Sequence, residues 1–183
     1  MKILCYGDSN TFGFDPRGYF GDRYGTEDRW PEVLGDLSGW SVNNQGMNGR
    51  AIPRVPARFP ATIDAVLVML GTNDLLRGKS AEETAVRMEK FITSLDIALD
   101  KLIIVAPPKM QRGEWVSTDA LIHESAALGE VYGNLCEKLG VRFVDATAWE
   151  ISMCYDGVHF TEKGNRQFAR NMYCALKEAF LTC

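Results

Sequence analysis

Three runs of this chain, KILCY (2–6), AVLVML (65–70) and LIIVA (102–106), are almost uninterrupted apolar sequence. Strands of that kind are covered on both faces, which is the mark of a parallel sheet layered between helices. WSVNN (40–44) and VRFVD (141–145) complete five strand candidates. Between them the apolar spacing changes to steps of three and four. After Ser80 the sequence SAEE has the Ser80-to-Glu83 spacing of a capping box, and Ala85, Met88, Ile92, Leu95 and Leu99 then make one stripe. Residues 118–139 repeat the pattern with Leu121, Ser125, Leu128, Tyr132, Leu135 and Leu139, and Gly140 stops it. A last helix is expected from about Thr161, as its cap, to Leu181, with Phe168, Met172, Leu176 and Phe180 on one side. Pro31 suits the first turn of a helix near 30–38. Strands alternating with helices predict an α/β fold, an open three-layer α/β/α sandwich on a five-stranded, mainly parallel sheet.

At 183 residues, with no repeat or linker-like stretch, the chain is expected to be a single domain over 1–183. The net charge of −4, with basic residues scattered, argues against nucleic acid as a partner. The opening MKILCYGDSN lacks the long apolar core of a signal peptide, and no run approaches a membrane span. Five cysteines, at 5, 136, 154, 174 and 183, have no metal-ligand or disulfide spacing. They read as reduced thiols of a cytoplasmic protein, mostly small buried hydrophobes, with Cys183 the most exposed. No metal and no cofactor is expected.

In open α/β sheets the functional groups gather beyond the carboxyl ends of the strands. Ser9 in GDSNT follows the first strand candidate, Gly46 and Gly49 the second, and GTND (71–74) the third. DGVHF (156–160) lies between the fifth strand and the last helix. One edge of the sheet therefore collects a hydroxyl, an amide, a carboxylate and an imidazole. A serine becomes a nucleophile only when a base takes its proton. Of the two histidines, His159 stands three residues after Asp156, which can hold its Nδ1–H while Nε2 faces Ser9. His123 lies on a helix without such a partner and reads as a surface or half-buried residue. The Ser9 N–H, a loop glycine N–H and the Asn73 amide are candidate oxyanion donors. The G-x-S-x-G elbow is absent at Ser9, so the turn differs from that of α/β-hydrolases.

Taken together, GDSNT, NQGMNGR, GTND and DGVHF, in this order over residues 3–165, resemble the conserved blocks of the SGNH hydrolases, also called the GDSL esterase/lipase family. The opening ILCYGDSNTFGFDP is similar to that family's arylesterase branch. The resemblance implies an SGNH, flavodoxin-like sandwich with Ser9 as nucleophile, His159 as base and Asp156 as orienting carboxylate. It also implies an oxyanion hole formed by Ser9, Gly49 and Asn73, with Gly46 as the alternative to Gly49. Asn10 departs from the pattern, standing where the family usually has leucine. It is expected to alter the packing of the loop or to add a polar group near the acyl site.

Asp8 and Asp74 read as structural carboxylates, and Arg50 as either an anion contact or a solvated or salt-bridged residue. The aromatics of 11–30 (Phe12, Phe14, Tyr19, Phe20, Tyr24, Trp30), with Met110 and Trp115 of 107–118, are candidates to line an acyl or aryl slot or to cover the sheet. The expected activity is a serine esterase on small, short-acyl carboxylic esters, failing in acid as His159 takes up a proton. Acetylated sugars and thioesters are the rival substrates, and a ligand-binding protein on the same scaffold is the rival without catalysis. A nucleotide binder is disfavoured, since GDSNTFG is neither G-x-G-x-x-G nor a Walker pattern. The partner expected is thus a small ester, with no nucleic acid or membrane, and a homo-oligomer is left open.

Overall fold

In a computed structural model that describes residues 1–18 and 22–181 (the backbone alone for 179–181), the chain alternates strands and helices. It runs β1 (Lys2–Gly7), α1 (Ser9–Phe12), β2 (Phe14–Asp15), β3 (Asp22–Arg23), α2 (Trp30–Ser38), β4 (Ser41–Gly46), β5 (Ala65–Met69) and α3 (Thr72–Leu76). It continues through α4 (Ala81–Ser94), β6 (Leu102–Ala106), α5 (Asp119–Leu139), β7 (Arg142–Asp145) and α6 (Glu162–Leu181). Tyr19, Phe20, Cys183 and the Phe180 side chain lie outside the described residues.

The main sheet has five strands in the order β4-β1-β5-β6-β7, all paired in parallel. The expected three-layer sandwich is therefore present, and its two faces follow from the pleat. Successive residues of a strand point to opposite sides. Leu4, Val66, Val68, Leu102 and Ile104 go to one face, where α4 and α5 cover them with Met88, Phe91, Leu128 and Tyr132. Ile3, Cys5, Leu67, Met69, Ile103 and Val105 go to the other, under Trp30 and Leu34 of α2 and Phe168, Met172 and Leu176 of α6. Each such side chain contributes on the order of 1.5–3 kcal/mol by leaving water. Helices of this length have little stability alone, so the apolar stripes hold them in place.

The chain moves outward from β1 to β4, then crosses back to the far side of β1 to lay down β5. The connections diverge beside β1, and the crevice at their carboxyl ends is where such folds place ligands. Met47, Leu70 and Asp8 are the first residues past those three strands.

The structure trims several expected elements. Helix α4 stops at Ser94 with Leu95 as its cap, and Leu99 is 41% exposed in a short 3-10 turn beyond the stripe. The capping box at Ser80 is formed, Thr118 caps α5, and the Gly164 N–H donates to Thr161 Oγ1 at 3.0 Å at the start of α6. Two short helices beside the future site, α1 and α3, lack the several turns that make a periodic signal. Cys174 is exposed, against the expectation that the cysteines inside the chain are buried hydrophobes, because α6 turns it away from the sheet.

Candidate active site

The turn after β1 is tight. Asp8 caps α1, its Oδ1 accepting the Asn10 N–H at 3.0 Å, and Ser9 is the first helical residue. Its N–H meets no acceptor among the described residues, as expected in the first turn of a helix. Burial pushes the Asp8 carboxyl up to about 6, against the lowering effect of the Asn10 N–H, the charge of His159 and a hydrogen bond with Thr72. Asp8 thus holds the turn, as expected, and is 1% exposed.

Ser9 and His159 are 150 residues apart in sequence, yet Ser9 Oγ lies 2.9 Å from His159 Nε2. His159 Nδ1 lies 2.6 Å from Asp156 Oδ2, and the other carboxylate oxygen, Oδ1, accepts the N–H groups of Val158 and His159, each at 2.9 Å. Burial alone would raise the Asp156 carboxyl. The His159 ring and the two N–H groups outweigh burial and hold it below the usual carboxylate range. An ionised Asp156 only accepts, so Nδ1 carries the ring proton and Nε2 is left to accept from the Ser9 hydroxyl. Ser9, His159 and Asp156 are 6%, 3% and 0% exposed. The imidazole is wedged between two rings, Phe14 at 4.7 Å and Trp115 edge-on at 5.2 Å. His123, by contrast, is exposed on α5.

Trp115 reaches this position because its loop pairs with the loop of Asp156. The Gln111 N–H donates to Gly157 O at 2.9 Å, and the Glu114 and Trp115 N–H groups donate to Tyr155 O and Asp156 O, both at 3.1 Å. Of the two loop candidates for lining a slot or covering the sheet, Met110 does the latter, 2% exposed in the core under α5. The aromatics of 11–30 divide as well. Phe14 faces the site, Trp30 packs on Phe168, and Tyr24 is buried with its hydroxyl donating to Phe160 O.

Beside Ser9 and His159 is a cavity of about 130 Å³, also lined by Phe14, Asn48, Gly49, Asn73, Leu76, Trp115 and Val158. Gly49 and Asn73, both expected near Ser9, are thus brought to it, while Asn48 and Leu76 are additions the sequence did not single out. Asn73 is half-buried on α3, and its amide forms no hydrogen bond among the described residues. The two candidate glycines separate clearly. The Gly46 N–H donates to Asn44 Oδ1 at 2.9 Å, and a Cβ at Gly46 would sit 2.0 Å from Phe12 N, so that glycine serves close packing. Gly49 has φ of +69° with open space around it, and its N–H has no partner among the described residues.

The segment carrying Gly49 is held from below. Arg77 Nη2 donates to Gly49 O at 2.8 Å, and buried Asp74 accepts the Ile52 N–H at 2.9 Å while pairing with Arg87 at 3.0 Å. Arg50 forms no ion pair among the described residues: it stacks 4.1 Å over Tyr6 and donates to Gly7 O and Gln45 O. A larger cavity, about 330 Å³, lies against α4 between Pro53, Arg54, Arg87, Lys90, Phe91 and Ser94. No histidine or carboxylate lines it, whereas the smaller cavity adjoins the Ser9–His159 contact. No group of three metal-ligating side chains occurs among the described residues, and none of their helices is long and apolar enough to cross a membrane.

No curated protein matches the chain. Among solved structures it is similar to a protein from Agrobacterium tumefaciens str. C58 assigned provisionally as an arylesterase, at 28% identity over 97% of this chain and 98% of that one, TM-score 0.78. It is also similar to the aryl esterase of M. smegmatis, at 24% identity over 97% and 98% of the two chains, TM-score 0.81. A carbohydrate acetylesterase family member from Sinorhizobium meliloti follows at 25% identity over 96% and 97%, TM-score 0.78. The model of the GDSL-like lipase/acylhydrolase family matches residues 5–167, a span that includes every residue described around the cavity. The chain belongs to that family, and so to the ester hydrolases.

Proposed function

We propose that the chain is a serine esterase for small, short-acyl carboxylic esters, with Ser9 as nucleophile, His159 as base and Asp156 as the carboxylate that orients it. The observation that carries this reading is the continuous relay from Asp156 Oδ2 through the imidazole to Ser9 Oγ, at 2.6 and 2.9 Å. In the first half of the reaction Ser9 Oγ bonds to the ester carbonyl carbon while its proton passes to His159 Nε2. The carbonyl oxygen becomes an oxyanion, received by the Ser9 and Gly49 N–H groups and the Asn73 amide. The carbon–oxygen bond to the alcohol then breaks, and His159 returns the proton to the leaving oxygen. Water repeats the sequence on the acyl-enzyme, releasing the acid and restoring Ser9. Asp156 stays ionised throughout and stabilises the imidazolium.

A cavity of about 130 Å³ favours acetyl to butyryl groups over long acyl chains. The rings of Phe14 and Trp115, the latter 51% exposed, give an aryl leaving group surfaces to lie against. The amides of Asn48 and Asn73 beside them favour acetylated sugars as a second substrate class. Work in the cytoplasm, as one catalytic domain over 1–183, is part of the same proposal, and the free thiols of Cys5, Cys136, Cys154 and Cys174 support a reducing compartment.

A fluorophosphonate tests the reading directly. It should leave one covalent adduct per chain on Ser9, absent in Ser9→Ala and slow to form in His159→Ala. A folded protein that takes no adduct is a ligand-binding scaffold, and the esterase reading falls. A panel of p-nitrophenyl esters from acetate to octanoate, run beside acetylated sugars, then sets the acyl cutoff. Faster turnover of octanoate than of acetate would overturn the short-acyl assignment.

A further inference from the structure

Asn10 stands directly after the proposed nucleophile, and its side chain is 6% exposed. Its Nδ2 donates to Val158 O at 3.0 Å and its Oδ1 accepts the Phe160 N–H at 3.0 Å. These are the carbonyl and the N–H on either side of His159. The amide therefore offers the His159 segment the same donor and acceptor that a residue of a neighbouring parallel strand would offer. The other backbone groups of that segment are engaged from elsewhere. The Val158 and His159 N–H groups go to Asp156 Oδ1, His159 O accepts from Cys154 N at 2.7 Å, and Phe160 O accepts from Tyr24 Oη at 3.1 Å. Without Asn10, two backbone groups in a buried loop lose their partners, and both belong to peptides that set the position of the imidazole.

We infer that Asn10 is a positioning residue: through Val158 and Phe160 it ties the His159 backbone to the Ser9 turn and thereby fixes the distance between Oγ and Nε2. The clamp is short. From Ser9 to its covalent neighbour Asn10, across two hydrogen bonds to the peptides of His159, and back along the relay, the circuit closes within the site. An apolar side chain at this position fills the space without closing that circuit. A misplacement of about 1 Å between reacting groups lowers a rate by roughly two powers of ten. The inference rests on the roles given above to Ser9 and His159.

The test is a double-substitution cycle with p-nitrophenyl acetate, using Asn10→Ala and Asn10→Asp in the wild-type and His159→Ala backgrounds. Thermal melts report folding in each case. Asn10→Ala should lower kcat by about 100-fold with KM little changed. Asn10→Asp, which keeps an acceptor for the Phe160 N–H but loses the donor to Val158 O, should fall between it and wild type. In His159→Ala neither substitution should lower the residual rate further, because the group being positioned is gone. An equal fall in both backgrounds, full activity of a folded Asn10→Ala, or failure of both variants to fold would each overturn the positioning role. If His159→Ala itself keeps full activity, the esterase reading fails and takes this inference with it. An inactive His159→Ala beside a fully active Asn10→Ala defeats this inference alone.

Discussion

Two asparagines lie near Ser9 and His159, and their amides are used in opposite ways. Asn10 is buried with both polar atoms of its amide bonded to the backbone around His159. Asn73 lines the cavity with an amide that bonds to nothing among the described residues. The difference extends to their surroundings. Around His159 every backbone N–H and carbonyl from 158 to 160 has an internal partner. Around Asn73 the N–H groups of Ser9 and Gly49 have none among the described residues. A buried polar group without a partner costs about 1–3 kcal/mol, so folds seldom leave donors idle unless something else uses them. In the proposed mechanism, the side that passes the proton is the one held by satisfied bonds, and the side that would receive the oxyanion is the one with unbonded donors.

That contrast can be broken by experiment. The largest effect is expected in the relay: His159→Ala should lower kcat by at least roughly 10⁴-fold, and Asp156→Asn, which presents the wrong tautomer to the ring, by about 10⁴-fold. If Asp156→Asn retains most activity, the 2.6 Å contact to His159 has no catalytic weight. Next, Asn73→Ala should reduce kcat by about 10²–10³-fold while leaving the melting temperature nearly unchanged, since no internal bond is lost. A variant that melts early but turns over normally would show the amide to be structural and erase the distinction from Asn10.

Smaller effects separate the two glycines. Gly46→Ala should unfold the Ser9 turn or destabilise it severely, because its methyl would meet Phe12 N at 2.0 Å. Gly49→Ala, in open space at φ +69°, should cost only about 1–2 kcal/mol and keep the N–H in place. Denaturant titration of both variants decides between them.

A separate effect concerns pH. The Asp8 carboxyl lies near 6 when folded against an ordinary 3.8, so the folded chain holds a proton that the unfolded chain has already released. Stability from this group is therefore full below about pH 4 and is lost as pH rises through about 6, by an amount on the order of 3 kcal/mol at most. Asp8→Asn should flatten that part of the stability–pH curve. An unchanged slope would mean that another group governs it. Asp156 acts in the opposite sense, since its lowered carboxyl adds stability at neutral pH that disappears in strong acid.

Much of this was legible in the residues. The apolar runs near Leu4, Val66 and Ile103 required a sheet covered on both faces, and the stripes on α4, α5 and α6 supplied the covers. The offset from Asp156 to His159 already joined carboxylate and imidazole, because three residues suffice to close that turn. Other features were not legible. Helices α1 and α3 are one turn each, too short for any period to register. Met110 and Trp115 lie in one loop, and only the pairing of that loop with Tyr155 and Asp156 turned one into core and the other toward His159. Gly46 and Gly49 look alike in the sequence, and only the fold sets apart their hydrogen bonds and neighbouring space.

The sequence by itself determined the layers, the strand candidates and the kinds of group available at one sheet edge, because periodicity and residue chemistry are local properties. Only the tertiary structure decided that Asn10, an oddity of one motif, grips the peptides on both sides of His159. The reason is physical: an amide has the same donor and acceptor whatever its neighbours, and which backbone it meets across 150 residues depends on how the whole sheet closes.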